Sequence, residues 1–262
     1  MQTNSSTQAD KWADLLKQAV TVPGLVSEAY SAFHGYSLGN QLLALVQCQE
    51  RGIQPGPMAT YPGWQAKGRQ VRKGEKAIVL CMPVTSKRKA EADGEDDATF
   101  TRFIFRANWF VIEQTNGEPV EALAAPEWNR AQALAALGIT EKPFEHLNGN
   151  VMGYAKGREI AISPVNPLPH KTTFHELAHI LLGHTSEGSF SDGEQTPRNL
   201  REVEAESVAM LCCESLGLPG AEYSRGYIQG WLCGAAIPGR SAQKIFAAAD
   251  KILRAGQQSS TA

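Results

Sequence analysis

The sequence predicts an α+β protein of two domains: an N-terminal α+β domain over residues 1–125, and a C-terminal domain over 126–262 made of a small β-hairpin plus helices. Three observations predict it. At 262 residues the chain is longer than one typical domain of about 100 to 200 residues. Long segments rich in β-branched and aromatic residues are confined to the first half, whereas helix-like apolar spacing dominates the second. Between the halves, Gly117, Pro119 and Pro126 interrupt every periodic pattern.

Taken in order, Asp10 to Val20 sets Trp12, Leu15, Leu16 and Ala19 on one helical face. Leu42, Leu43, Leu45 and Val46 recur in the same way after Ser37, until Gly52 and Pro55-Gly56-Pro57 stop that helix. Ala77 to Val84 and Thr99 to Ile112 read as paired strands. Between them, Ala90 to Ala98 holds Glu91, Asp93, Glu95, Asp96 and Asp97 with Gly94 and no base, which predicts a solvated, mobile hairpin tip. Trp128 to Leu137 resumes as a helix. Val151 to Tyr154, the turn Lys156-Gly157-Arg158, and Glu159 to Ile162 form a second hairpin. Helices are then expected at Thr172 to Leu182, Leu200 to Leu216, Tyr223 to Cys233 and Ser241 to Ala255, separated by Pro197, Gly217-Pro219 and Pro238-Gly239.

Composition excludes several classes. No apolar run exceeds six residues, the length of Val208 to Cys213, far short of the roughly 20 residues of a bilayer span, so no membrane partner is expected. The polar stretch Met1 to Asp10 lacks an apolar export segment, and a cytoplasmic protein is the expectation. Five cysteines form no C-x-x-C pair, which suits a reducing compartment and offers no zinc ribbon. The net charge of −2 hides a strong local bias: residues 61–89 carry eight bases against the single acid Glu75. Lys67, Arg69, Arg72, Lys73 and Lys76 are the candidates for contacting phosphates of a nucleic acid strand. Tyr61, Trp64, Phe103, Phe105 and Trp109 could stack on bases. By the strand period of two, Phe103, Phe105 and Trp109 share a face and are assigned to the core. Trp64, beside Gly63 in a basic loop, is the better stacking candidate.

The second half contains His175-Glu176-Leu177-Ala178-His179, an H-E-x-x-H pattern that chance would supply about 0.01 times in a chain of this composition. At i and i+4 the two imidazoles share a helix face and can grip one Zn²⁺ per chain, with Glu176 as general base. A third ligand is expected in Arg201-Glu202-Val203-Glu204-Ala205-Glu206. Glu202 and Glu206 lie one turn apart on one face, so one can ligate and the other orient a histidine, with Glu202 the expected ligand and Glu206 the expected orienting group; Glu204 points elsewhere. His184, behind Gly183, does not fit the longer H-E-x-x-H-x-x-G-x-x-H spacing and reads as a helix-terminal histidine. With a fourth position left for water, such a site would hydrolyse peptide bonds. Tyr223, Arg225 and Tyr227 are candidates for stabilising the oxyanion.

Two stretches resemble the N-terminal domain of ArdC-type plasmid antirestriction proteins: His34-Gly35-Tyr36-Ser37-Leu38-Gly39-Asn40-Gln41-Leu42-Leu43, and Trp64 to Lys76 with Pro83-Val84. His175 to His179, Glu202 to Glu206 and Tyr227-Ile228-Gln229-Gly230-Trp231-Leu232 resemble that family's metallopeptidase-like domain, which is similar to the ImmA/IrrE peptidases. The family pattern E-x-x-A-E maps onto Glu202, Ala205 and Glu206 and leaves Glu204 without a counterpart. The resemblance implies an N-terminal domain that binds single-stranded DNA, a zincin-like C-terminal domain, and protection of transferred plasmid DNA. Two alternatives stay open. One is a regulatory peptidase acting on a protein substrate, its N-terminal domain a docking module; the other is a non-catalytic DNA-binding shield with a structural metal.

Overall fold

The computed structural model describes residues 5–88, 98–121, 124–146, 150–185, 197–232 and 235–257. The acidic tip expected at 90–98, with its mobility, lies outside them but for Ala98. The mixed helix and strand architecture is that of an α+β protein. Two compact units are present, residues 43–123 and residues 1–42 together with 124–262, the division falling within one helix.

In the smaller unit, the second half of α3 (Leu38–Arg51) precedes β1 (Met58–Thr60), α4 (Tyr61–Ala66), β2 (Arg69–Val71), β3 (Ile78–Arg88), β4 (Ala98–Val111) and β5 (Thr115–Gly117). β3 and β4 form the expected antiparallel hairpin, β1 adds to the other side of β4, and β2 pairs with β5 in a separate ribbon. The register runs from Arg88 opposite Ala98 to Val79 opposite Ala107, then slips at a bulge so that Ile78 faces Trp109. The Gln47 amide on α3 clips onto the backbone of Val79 beside that bulge, giving and accepting one bond of 2.9 Å each. Leu45, Cys48, Trp64, Ile78, Leu80 and Val111 form the core. Phe103, expected inside, is 59% exposed, and Phe105 and Trp109 are half-buried. Strand periodicity shows which residues share a face but not whether anything covers it.

In the larger unit, α1 (Ser5–Thr21), α2 (Leu25–Phe33) and the start of α3 pack with α5 (Arg130–Leu137), α6 (Pro169–Leu181), α7 (Arg198–Ser215), α8 (Ala221–Leu232) and α9 (Gly239–Gly256). A small sheet of β6 (Thr140–Glu141), β7 (Gly153–Lys156) and β8 (Glu159–Ile162) has the order β6-β8-β7. The division expected at 125/126 assigned α1 and α2 to the first domain; by packing they belong with the later helices. Trp12 of α1 rests on Phe246 of α9 with ring centroids 5.7 Å apart. The sequence displays the apolar face of α1 but not the surface that covers it. α7 is the central element: eleven of its eighteen residues are buried, Val208 to Cys213 completely. Hence the apolar run from Val208 to Cys213 belongs to a core helix. Among the described residues, no helix is long and apolar enough to cross a membrane.

Candidate metal centre

Helix α6 starts at Pro169, whose fixed φ suits a first turn. Just before it, Asn166 ties the helix to the sheet: its amide donates to Thr172 Oγ1 at 2.8 Å and to the Met152 carbonyl at 3.1 Å. Gly153 at the start of β7 permits this closeness, since a Cβ there would lie 2.6 Å from Thr172 Cγ2. β7 is thereby held against the helix that carries His175, Glu176 and His179.

His175 Nε2 and His179 Nε2 approach to 3.0 Å, and Glu202 Oε2 of α7 lies 3.5 Å from the first and 3.7 Å from the second. These separations bracket the about 3.3 to 3.6 Å between ligand atoms of a tetrahedral zinc with bonds of about 2.0 to 2.2 Å, so small shifts would seat the three atoms on one face of such a site. They are the only group of three among the described residues whose ligand atoms converge in this way. Glu206, one turn beyond Glu202, places Oε1 3.2 Å from His175 Nδ1 and 2.9 Å from Lys171 Nζ. It therefore sits behind the first histidine, as its spacing predicted.

The electrostatics follow from crowding charge in a half-buried place. Burial opposes a charge on His175, but the Glu202 and Glu206 carboxylates prevail and push it up to about 9. Burial and the neighbouring His175 hold His179 below the usual imidazole range. Burial pushes the Glu176 carboxyl up to about 7, against the attraction of His175. Although burial opposes it, His175, Ser224 and Lys171 bring Glu206 down to about 2.

These residues line a cleft with Met152, Gly153 and Tyr154 of the β7 region, Thr172 and Arg198. Tyr223, Arg225 and Tyr227 do not line it. Tyr223 and Tyr227 are 65% and 49% exposed, while Arg225 is buried against Glu214 and the carbonyls of Ala19 and Val20. The oxyanion role expected of these three is therefore withdrawn. Tyr154 and Arg198, which the sequence reading missed, line the cleft instead. For Arg198 a signal existed, because it stands one turn before Glu202 on the same helix face. His184 stands just beyond the end of α6, as its spacing suggested, and also lines the cleft, whereas Glu204 stays off the cleft and lies 2.9 Å from His184 Nε2.

The basic segment divides. Lys67, Lys73 and Lys76 are exposed, whereas Arg69 gives its guanidinium to Thr115 Oγ1 at 2.7 Å and to the carbonyls of Thr115, Gly117 and Glu118. Arg72 is exposed but paired with Glu75 at 2.7 Å. Trp64 is 1% exposed, and its indole donates to the Phe110 carbonyl at 2.8 Å. It is a core residue with no face left for a base, which corrects its assignment as a stacking platform. Tyr61 and Phe110 instead flank an open concavity with Arg72, Lys73 and Asn116.

Residues 10–110 match the family described as the N-terminal domain of anti-restriction factor ArdC. Among solved structures, the chain is similar to the metal-free antirestriction ArdC protein from the R388 plasmid, with 22% identity and a TM-score of 0.57, covering 97% of this chain and 95% of that one. The Mn(II)-bound structure of the same R388 protein matches with 20% identity and a TM-score of 0.53, covering 95% of this chain and 97% of that one. No curated protein matches the chain. Residues 10–110 thus match an ArdC N-terminal domain, and nearly the whole chain shares the fold of the R388 ArdC protein.

Proposed function

We propose that this protein is a zinc-dependent peptidase that also binds single-stranded DNA, with the DNA contacts in its N-terminal half. The observation that carries the peptidase reading is the convergence of His175, His179 and Glu202 in a cleft that also holds the buried Glu176. A structural metal site is closed and has no use for a base; three ligands with an adjacent raised carboxyl suit an open, catalytic one. The donor set of two imidazoles and one carboxylate binds zinc more tightly than manganese in the usual affinity order, and the Mn(II) bound by the R388 protein marks a divalent-metal fold. When bound, the metal supplies a Lewis acid for the scissile carbonyl and acidifies a water. Glu176, with its carboxyl near neutrality, takes up a proton and returns it to the leaving amine. Tyr154 and Arg198 offer hydrogen-bond donors for the carbonyl oxygen. β7 pairs only with β8 among the described residues, so its other edge can accept an extended peptide along the cleft.

The DNA reading rests on the ArdC N-terminal domain match, on the exposed Lys67, Lys73 and Lys76, and on the concavity flanked by Tyr61 and Phe110. Elemental analysis should find one zinc per chain, largely lost in His175→Ala. Glu176→Gln should keep the metal and lose at least about 100-fold in peptide hydrolysis. Full metal occupancy in His175→Ala would overturn the ligand set, and undiminished hydrolysis by Glu176→Gln would overturn the base. For DNA, a fluorescence titration should show single strands preferred over duplex, with affinity falling steeply as salt rises.

A further inference from the structure

His184 and Glu204 lie outside the three ligands but are joined to them. His184 Nδ1 is 3.0 Å from His179 Nδ1, and His184 Nε2 is 2.9 Å from Glu204 Oε2. Both side chains are about 95% buried, at 6% and 5% exposure. The backbone explains how a histidine beyond the helix end reaches back to it. Gly183 adopts φ 79°, and the N–H groups of Gly183 and His184 close on the carbonyls of Ile180 and His179. That is a Schellman ending, and it folds His184 back over the last turn of α6.

Hydrogen bookkeeping then fixes each proton. The Glu204 carboxylate can only accept, so His184 must carry its hydrogen on Nε2. With a single hydrogen on the ring, Nδ1 is left as an acceptor, and the hydrogen that fills the 3.0 Å contact is the one on His179 Nδ1. His179 Nε2 then carries a lone pair, and that is the atom facing His175 Nε2 and Glu202. On the other side, Glu206 Oε1 stands 3.2 Å from His175 Nδ1.

We propose that Glu204 and His184 form a relay that locks His179 in the Nδ1–H tautomer and so presents its Nε2 lone pair to the metal. His184 is thus a positioning residue rather than a ligand. The relay rests on the metal-site reading above.

Zinc affinity, measured by competition with a chelator, tests it in the full-length protein. Glu204→Gln can donate to His184 Nε2 and reverse the array, and His184→Leu removes the acceptor; each should weaken zinc about 10- to 100-fold. His184→Asn keeps an oxygen at the place of Nδ1 and should stay within a few-fold of the unaltered protein. Imidazole nitrogen NMR of the unaltered zinc-loaded protein should show His179 protonated at Nδ1. If Glu204→Gln and His184→Leu bind zinc normally, the relay is wrong. Equal losses in His184→Asn and His184→Leu would reduce His184 to packing, and a His179 without an Nδ1 proton would also refute the relay. If the unaltered protein binds no zinc, the metal-site reading fails first and the relay falls with it.

Discussion

Single residues decide which readings of this sequence survive. Trp64 sits among lysines and arginines beside a glycine, a setting that resembles a base-stacking loop, yet the chain buries its indole under the Phe110 carbonyl. Trp64→Ala should therefore open a cavity and cost about 3 to 5 kcal/mol of stability in denaturant titration. An unchanged midpoint with a selective loss of DNA affinity would restore it as a platform. The metal residues behave differently, because their chemistry is encoded by spacing alone: i and i+4 histidines must share a face, and so must Glu202 and Glu206. What spacing cannot encode is proton placement. In the metal-free array His175, pushed up to about 9 by the Glu202 and Glu206 carboxylates, carries a hydrogen on each nitrogen, one towards Glu206 and one between it and His179. In the proposed centre a metal would take the place of the hydrogen between His175 and His179. Zinc binding at neutral pH should thus release about one proton, and affinity should fall as pH falls, because protons compete for that place. Calorimetry in two buffers of different ionisation enthalpy measures the release; identical heats would contradict the array.

At the scale of elements, long periodic segments were legible and short ones were not. The β3–β4 hairpin, α1 and the four helices from α6 to α9 follow from apolar period and from proline or glycine punctuation. Short elements such as α4 and β2, of six and three residues, carry too few turns to show a period. α2 escaped because its apolar residues, Leu25, Val26, Ala29, Tyr30 and Phe33, crowd nine positions after Gly24, which offers no side-chain cap. The end of α6 shows what punctuation can carry. Gly183 marks a helix stop in the sequence, and in the structure the same left-handed residue aims His184 at His179. Gly183→Ala must either hold an alanine at φ 79° or release the turn. We expect a loss of about 1 kcal/mol in stability together with weaker zinc binding. Loss of stability with zinc affinity unchanged would separate the turn from the metal centre.

At the scale of the whole chain, the question is why its first 42 residues belong with its last 139. Apolar packing is one cause, as in Trp12 on Phe246. A buried ion pair is the other. Glu214 of α7 and Arg225 of α8 bind each other, and each also closes the end of an N-terminal helix. Arg225 donates to the Ala19 and Val20 carbonyls near the end of α1, while Glu214 accepts the Gly24 N–H at 2.8 Å and the Val26 N–H at 3.3 Å where α2 begins. Both groups that a helix terminus leaves unpaired are thus satisfied by opposite charges of matching sign. Sequence alone offered no route to this, since the partners are about 200 residues apart and neither lies in a motif. A cut at 125/126 would strip Glu214 and Arg225 of these partners, so residues 126–262 should not fold stably alone. Arg225→Met isolates the effect without cutting the chain. It leaves the Glu214 carboxylate buried beside no cation, and the expected cost is about 3 to 5 kcal/mol. Thermal melts should fall accordingly, and proteolysis should appear between Thr21 and Leu25. Because Arg225 does not line the cleft, hydrolysis per folded molecule should not change. The opposite pattern, normal melting with impaired hydrolysis, would return Arg225 to the oxyanion role that its place in the fold denies it.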